Sequence, residues 1–147
     1  MIRRLILLLL LSAIPAHADE FSLTDLQAKT LKLSDFHGKW VLVNFWSPYC
    51  KPCQSEIPEL ASLYREHGNR DLVVIGIAMN PGNAKALQGY VQAKKIPYPV
   101  VSGSDRVSSQ FGDIGDLPVT YLYNPSGDLS AQHEGPVSRD IIDRLIR

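Results

Sequence analysis

Hydrophobic and polar positions follow two different periods in the first half of the chain. Residues 21–26 and 30–33 alternate between apolar and polar side chains, which predicts a small hairpin. Residues 40–46 and 72–78 are apolar almost without a break, as expected for strands that are buried on both faces. Between them, residues 51–67 repeat apolar side chains at helical spacing. Strand, helix and strand in this order predict a parallel pair of strands with a right-handed crossover.

The second half of the chain continues to alternate between helical and extended patterns. Helices are predicted over residues 84–95 and 107–111 and after Ser138, which is a favourable N-cap residue. Strands are predicted over residues 98–101, 119–123 and 129–134. The sequence Asn124-Pro125-Ser126-Gly127 is a strong turn signal, so the last two strands should pair antiparallel. The fold class is therefore α/β, a mixed sheet covered by helices on both faces.

The start of the chain has the pattern of a secretory signal peptide. Within residues 1–18, two arginines precede an apolar stretch, residues 5–11, and an Ala-x-Ala cleavage signal, residues 16–18. Even a stretch of about ten apolar residues, at about 1.5 Å per residue, would be too short for a bilayer core of roughly 30 Å. We expect cleavage after Ala18 and a soluble, periplasmic domain over residues 19–147, with retention of the segment as an anchor left open.

Composition and charge exclude several classes of protein. The 147 residues are 45% hydrophobic and 20% charged, which suits one folded domain rather than a disordered chain. Lys and Arg together number 15, and Asp and Glu together number 15. The chain therefore lacks the basic excess that a nucleic-acid-binding or polybasic membrane-surface protein needs. Two cysteines are too few for a disulfide-stapled scaffold, or for a zinc site on their own.

Both cysteines lie in the sequence Cys50-Lys51-Pro52-Cys53, which follows a predicted buried strand and begins a predicted helix. Residues three apart share a helix face with Cα atoms about 5 Å apart, within the range for a disulfide. A helix N-terminus stabilises negative charge, which lowers a thiol pKa from about 8.5 toward 3.5–7.5. We therefore predict Cys50 as the nucleophile and Cys53 as the resolving thiol. Lys51 adds a positive charge, and Pro52 suits the first helical turn.

Two structural interpretations of the cysteine pair are weaker. A disulfide that closes a four-residue loop constrains the unfolded chain only slightly, because the entropic gain grows with loop length. A zinc site would need ligands from His37, His67 or His133, none of which has a recognised spacing from the cysteines. We therefore expect a redox-active disulfide between Cys50 and Cys53, with no metal and no other cofactor.

Five segments of the chain resemble one known family. They are residues 31–39, residues 43–58 around the cysteines, the predicted helix at residues 84–95, Leu117-Pro118-Val119-Thr120, and the turn at residues 124–127. Together they resemble the exported thiol–disulfide oxidoreductases of the TlpA, ResA and DsbE type, over essentially residues 20–147. The resemblance implies a thioredoxin-like three-layer α/β/α sandwich with a mixed central sheet, an N-terminal β-hairpin and a central helical insertion.

The resemblance also implies roles outside the Cys-x-x-Cys motif. Pro118 would have a cis peptide bond, face the cysteines and align the backbone of a client. Glu56 would be the acid of a Cys-x-x-Cys-x-x-Glu-x-Pro pattern near the resolving thiol, although it also suits an ordinary first-turn helix acid. Trp46 would pack beside the active site or serve only as a core aromatic. The expected client-binding residues are Trp46, Tyr49, Lys51, Pro52 and Leu117.

Two positions depart from the family pattern. Tyr49 stands where a tryptophan usually precedes the first cysteine, which changes the surface presented to clients. Asn44 stands where thioredoxin has a buried aspartate, so proton transfer to Cys53 must use Glu56 or water. Because Lys51 and Glu56 act on the thiolate with opposite sign, the direction of electron flow stays open.

The predicted function is thiol–disulfide exchange with client proteins that carry disulfides or thiols. The resemblance favours a monomeric reductase that receives electrons from a membrane-embedded thiol donor and acts in cytochrome c maturation. A thiol peroxidase of the peroxiredoxin type is one alternative, because Ser47 lies three residues before Cys50. A copper-binding chaperone that uses Cys50, Cys53 and His133 is another, because thiolates and imidazole suit copper.

Overall fold

A computed structural model describes residues 20–146, and the predicted signal segment, residues 1–18, lies outside them. In chain order the elements are β1 (Ser22–Thr24), β2 (Thr30–Lys32), a 3-10 helix (Leu33–Phe36), β3 (Trp40–Trp46), α1 (Lys51–His67), β4 (Leu72–Ala78), α2 (Ala84–Ala93), β5 (Val100–Ser102), α3 (Asp105–Ser108), β6 (Val119–Tyr123), β7 (Leu129–Glu134) and α4 (Arg139–Leu145). None of the helices in this part of the chain is long and apolar enough to span a membrane.

The central sheet is mixed, as the sequence predicts. Its five strands have the order β5-β4-β3-β6-β7. β3 pairs parallel with β4, and β4 pairs parallel with β5. β6 pairs antiparallel with both β3 and β7. β1 and β2 form the predicted hairpin, in which Leu23 lies opposite Leu31. This order places β3, which leads into the cysteines, at the centre of the sheet.

The two faces of the sheet are covered by different layers. α1, α2 and α4 pack on one face and bury Leu60, Leu87 and Ile142 among the sheet side chains. The other face is covered by the hairpin, which buries Leu23, and by the short α3, which contributes the half-buried Val107. The predicted three layers are therefore present, but the hairpin supplies much of the second outer layer.

The bounds of the main elements agree with the prediction, and the differences fall in the short ones. α2 ends at Ala93, two residues early, and Lys95 turns the chain away with a φ of 52°. β5 begins at Val100 rather than at residue 98. α3 begins at Asp105, two residues early, because the Ser104 side chain accepts a hydrogen bond from a backbone N–H of its first turn.

Gly76 lies in β4 where two aromatic side chains approach the backbone. A Cβ at this position would lie 2.9 Å from Trp46 Nε1 and 3.0 Å from Tyr98 Cε2. We expect Gly76→Ala to lower the free energy of unfolding by about 1–3 kcal/mol, as overpacked cores do. Urea denaturation of the oxidised protein measures it. The control is Gly89→Ala in α2, where an added Cβ meets nothing within 4 Å and should raise stability by up to about 1 kcal/mol. Equal stability of the two variants would contradict the proposed close approach.

Candidate active site

The two cysteines lie at the junction of β3 and α1. Cys50 is the N-cap residue of α1, and Cys53 lies in its first turn. They form a disulfide with Cα atoms 5.3 Å apart, in agreement with the spacing that the helical pattern predicts. Pro52 occupies the first turn, where a missing N–H removes no helical hydrogen bond. The Cys-x-x-Cys sequence therefore closes its disulfide within the ordinary geometry of a helix start.

The two sulfurs lie in different environments. Cys50 is half-buried, and its Sγ accepts a hydrogen bond of 3.2 Å from the N–H of Cys53. Cys53 is fully buried. The unpaired N–H groups and the positive end of the helix dipole favour negative charge at the N-cap position. The arrangement thus provides one accessible sulfur at an electropositive helix end and one sulfur protected behind it.

The surface around Cys50 gathers most of the residues predicted to contact clients. The Leu117–Pro118 peptide bond is cis, the geometry that the resemblance implies. The carbonyl oxygen of Leu117 lies 3.8 Å from Cys50 Sγ. Tyr49 is 78% exposed, which is unusual for a large aromatic side chain. The remaining two predicted residues, Lys51 and Pro52, are also exposed.

Trp46 does not join this surface. Its side chain is fully buried on the helix-covered face of the sheet. Its ring centroid lies 5.5 Å from that of Tyr90 in α2. Of the two roles considered for Trp46, the burial agrees with a core aromatic beneath the site and not with direct contact to a client.

Glu56 lies one helical turn after Cys53 and is only 1% exposed. Its Oε1 accepts a hydrogen bond of 2.9 Å from Asn44 Nδ2, and its Oε2 accepts one of 3.0 Å from the N–H of Val137. Burial raises the pKa of Glu56 from 4.5 to about 7, although both hydrogen bonds oppose this shift. The first turn of α1 contains no acidic residue, so the interpretation of Glu56 as an ordinary first-turn helix acid is wrong. A carboxyl group with a pKa of about 7, one helical turn from Cys53, can accept and release protons near neutral pH.

Two groups around this carboxyl were not predicted from the sequence, one that contacts Asn44 and one that contacts Glu56 directly. Thr120 Oγ1 accepts a hydrogen bond of 3.1 Å from Asn44 Nδ2, and Val137 contributes its backbone N–H. Both are distant along the chain from the residues they contact. The available signal was a polar residue inside each of two apolar strands, Asn44 in β3 and Thr120 in β6, which the register places opposite each other.

The surroundings of His133 and Ser47 bear on the two alternative functions, a copper-binding chaperone and a thiol peroxidase. His133 lies on β7 opposite Thr120. Within residues 20–146, no group of three His, Cys, Asp or Glu side chains could hold a metal ion. His133 therefore does not complete a three-ligand site with the two cysteines there. Ser47 is buried, and its Oγ accepts a hydrogen bond of 3.3 Å from the N–H of Tyr49, so this hydroxyl stabilises the turn before Cys50.

Known proteins with similar sequences carry the same chemistry in their names. Residues 14–132 match the AhpC/TSA family. The thiol–disulfide oxidoreductase ResA of Bacillus subtilis (strain 168) is 32% identical over 126 residues, which cover 85% of this chain and 69% of that relative. ResA of Geobacillus kaustophilus (strain HTA426) is 31% identical over 134 residues, which cover 90% of this chain and 75% of that relative.

A solved structure supports the fold independently. The crystal structure of a thiol:disulfide interchange protein of the thioredoxin family from Chlorobium tepidum TLS superposes with a TM-score of 0.79 at 29% identity. The superposition covers 91% of this chain and 95% of the other. The mixed five-stranded sheet, with a disulfide where its central strand enters a helix, is thus a thioredoxin-like fold. From sequence and structure together, the chain belongs to the AhpC/TSA family and is a thiol–disulfide oxidoreductase.

Proposed function

We propose that this protein is a periplasmic reductase that transfers two electrons from the Cys50–Cys53 pair to disulfides of client proteins. The observation that carries the proposal is the asymmetry of the two sulfurs at the start of α1. The half-buried Cys50 is available for attack on a client, and the fully buried Cys53 is kept for the second step. Such a division of roles suits a reaction that passes through a mixed disulfide.

The reaction begins with the reduced pair. The Cys50 thiolate attacks a client disulfide, so that a Cys50–client disulfide forms and one client sulfur leaves as a thiolate. Cys53 then loses its proton and attacks Cys50 Sγ, which forms the Cys50–Cys53 disulfide and releases the second client sulfur. Glu56 takes the proton of Cys53 and passes it on toward the leaving thiolate, for which a pKa of about 7 is suitable. The client gains two electrons, one proton that comes from Cys53 and one from solvent, which balances the proton that Cys50 lost when it ionised, and the pair becomes oxidised.

The client would bind across the surface around Cys50. Tyr49, Lys51 and Pro52 supply exposed contacts on the helix side. The carbonyl oxygen of Leu117 lies 3.8 Å from Cys50 Sγ, and the adjoining Pro118 would align the extended backbone of the client. Tyr49 offers a large amphipathic ring close to the reacting sulfur, which favours clients with apolar residues beside their cysteines.

Regeneration of the reduced Cys50–Cys53 pair requires an external source of electrons. Each turnover leaves a disulfide that a thiol donor must reduce, and the bacterial periplasm is kept oxidising. A membrane-embedded thiol donor would carry electrons across the membrane to the oxidised pair in the periplasm. Residues 1–18 would direct export, and residues 19–147 would act as a monomer. By resemblance to the ResA and DsbE type, the proposed clients include the haem-binding cysteines of apocytochrome c.

Trapping of the mixed disulfide tests this function. We expect Cys53→Ala to accumulate covalent complexes with clients, because the resolving attack is lost while Cys50 remains. The complexes should disappear on treatment with dithiothreitol, and the matched Cys50→Ala variant should form none. Alkylation of the wild-type protein in cells should find the pair mostly reduced. A pair that is mostly disulfide, or equal trapping by the two variants, would contradict the reductase.

A further inference from the structure

The buried carboxyl of Glu56 is held by an amide that can donate or accept hydrogen bonds. Asn44 Nδ2 donates to Glu56 Oε1 at 2.9 Å and to Thr120 Oγ1 at 3.1 Å. Asn44 Oδ1 is buried and has no hydrogen-bond partner among the described residues. Asn44, Glu56 and Thr120 are themselves all buried. An ionised carboxylate needs donors, whereas a protonated carboxyl also presents an O–H that needs an acceptor.

We propose that Asn44 and Thr120 are positioning residues for proton transfer, in which the Asn44 amide turns over whenever Glu56 gains or loses its proton. The proposal rests on the proposed role of Glu56 as the proton carrier. With Glu56 ionised, the amide NH₂ faces the carboxylate, as the structure has it. With Glu56 protonated, the amide oxygen takes that place and accepts the carboxyl O–H.

The surroundings of Glu56 determine which oxygen takes the proton. Oε2 faces the N–H of Val137, a backbone donor that cannot reverse, so a proton on Oε2 would meet another donor. Oε1 faces Asn44, whose amide can present either end. The proton therefore resides on Oε1. One end of the amide is without a partner in either orientation, so turning over loses no hydrogen bond.

Thr120 makes the reversal possible on the other side of the amide. Its hydroxyl accepts from the Asn44 NH₂ in the described orientation. Because a hydroxyl is both donor and acceptor, it can donate to the Asn44 oxygen after the amide has turned. Aspartate at position 44 could not serve in this way, since an ionised aspartate has no N–H to donate to a second carboxylate. The departure from thioredoxin at Asn44 thus suits an acid at position 56.

Other titratable residues lie on or next to α1, β5 and β7. Cys50 and Cys53 lie on α1, but as a disulfide they do not titrate. Tyr98 precedes β5, and its pKa is raised by burial and then by the charges of Glu56 and Tyr90, so it stays neutral below pH 9. His133 lies on β7 opposite Thr120. Among the groups named here, His133 is the one that the experiment on the oxidised protein must control for. The variant His133→Gln provides this control.

Nuclear magnetic resonance of the oxidised full-length protein tests the proposal. The Glu56 carboxyl carbon and the Asn44 side-chain NH₂ signals should titrate with one common midpoint, both in the wild type and in His133→Gln. In the double variant with Glu56→Gln and His133→Gln, the Asn44 signals should no longer depend on pH between pH 5 and 9. Asn44 signals that stay fixed while Glu56 titrates would overturn the proposal. The trapping by Cys53→Ala does not depend on this titration, so a protein that traps clients but holds its amide fixed would refute only this inference.

Variants of the two positioning residues give further readouts. Asn44→Asp should make the two carboxyls share one proton, with two titration steps and an upper midpoint at a proton concentration at least about tenfold lower than in the wild type. At high pH, Thr120→Val should speed hydrogen exchange of the Asn44 NH₂ by about tenfold, through loss of one hydrogen bond. Thr120→Ser should restore the wild-type rate. A single unshifted midpoint in Asn44→Asp, or equal exchange in the Val and Ser variants, would contradict the proposed contacts.

Discussion

Cys50→Ser is expected to lower the rate of client disulfide reduction by about 10³-fold or more, because the nucleophile that the whole reaction uses is removed. Serine keeps the N-cap geometry, since its hydroxyl can accept the hydrogen bond that Cys50 Sγ now receives from Cys53. The helix should therefore form normally while the chemistry fails. The measurement is the rate of reduction of a model disulfide substrate by the reduced protein, with unfolding followed in parallel.

Cys53→Ser is the matched control for this variant. It keeps the attacking sulfur and loses only the resolving one, so a single stoichiometric burst of the first leaving thiol should remain, with the other half of the substrate held on Cys50 as a mixed disulfide, while turnover stops. Alkylation of the reduced wild type should modify the half-buried Cys50 much faster than the fully buried Cys53. Turnover that survives Cys50→Ser, or faster alkylation of Cys53, would show that the assigned roles are reversed.

The elements that carry the cysteines were predictable because their signals are local. β3 and β4 are recognisable in the sequence as nearly unbroken apolar stretches, and α1 has a clear helical period. The Cys-x-x-Cys geometry depends only on where the helix begins, so sequence spacing was sufficient to predict the disulfide. The ends of α2 and α3 depend on single caps and on one residue with positive φ, which are weak signals in a sequence.

The environment of Glu56 was not predictable, because it is built by tertiary contacts. Helical spacing places Glu56 on the same face as Cys53, but its burial depends on how α1 packs on the sheet. Its second oxygen is held by the N–H of Val137, 81 residues away. The burial of Trp46 was unpredictable for the same reason. Strand alternation indicates the face of the sheet on which Trp46 lies, but not that a helix containing Tyr90 covers this face.

Burial of Glu56 should contribute more to the stability of the oxidised protein in mild acid than at alkaline pH. The folded pKa of about 7 lies above the ordinary value of 4.5, so the folded state binds the proton more tightly than the unfolded state. This contribution to stability is fully present below pH 4.5 and is lost as the pH rises through 7. The difference between these two pKa values corresponds to about 3 kcal/mol.

Glu56→Gln isolates this contribution, because glutamine keeps the size of the side chain and cannot ionise. The free energy of unfolding of wild type relative to Glu56→Gln should fall by about 3 kcal/mol between pH 4.5 and pH 8.5, with most of the change before pH 7. Urea denaturation of the oxidised proteins at a series of pH values gives this difference. Glu59→Gln, an exposed position on the same helix, should follow the wild type across the range much more closely. If the Glu56→Gln and wild-type profiles run parallel, the carboxyl is not titrating in the buried environment described here, and Glu56 loses its role as a neutral-pH proton carrier.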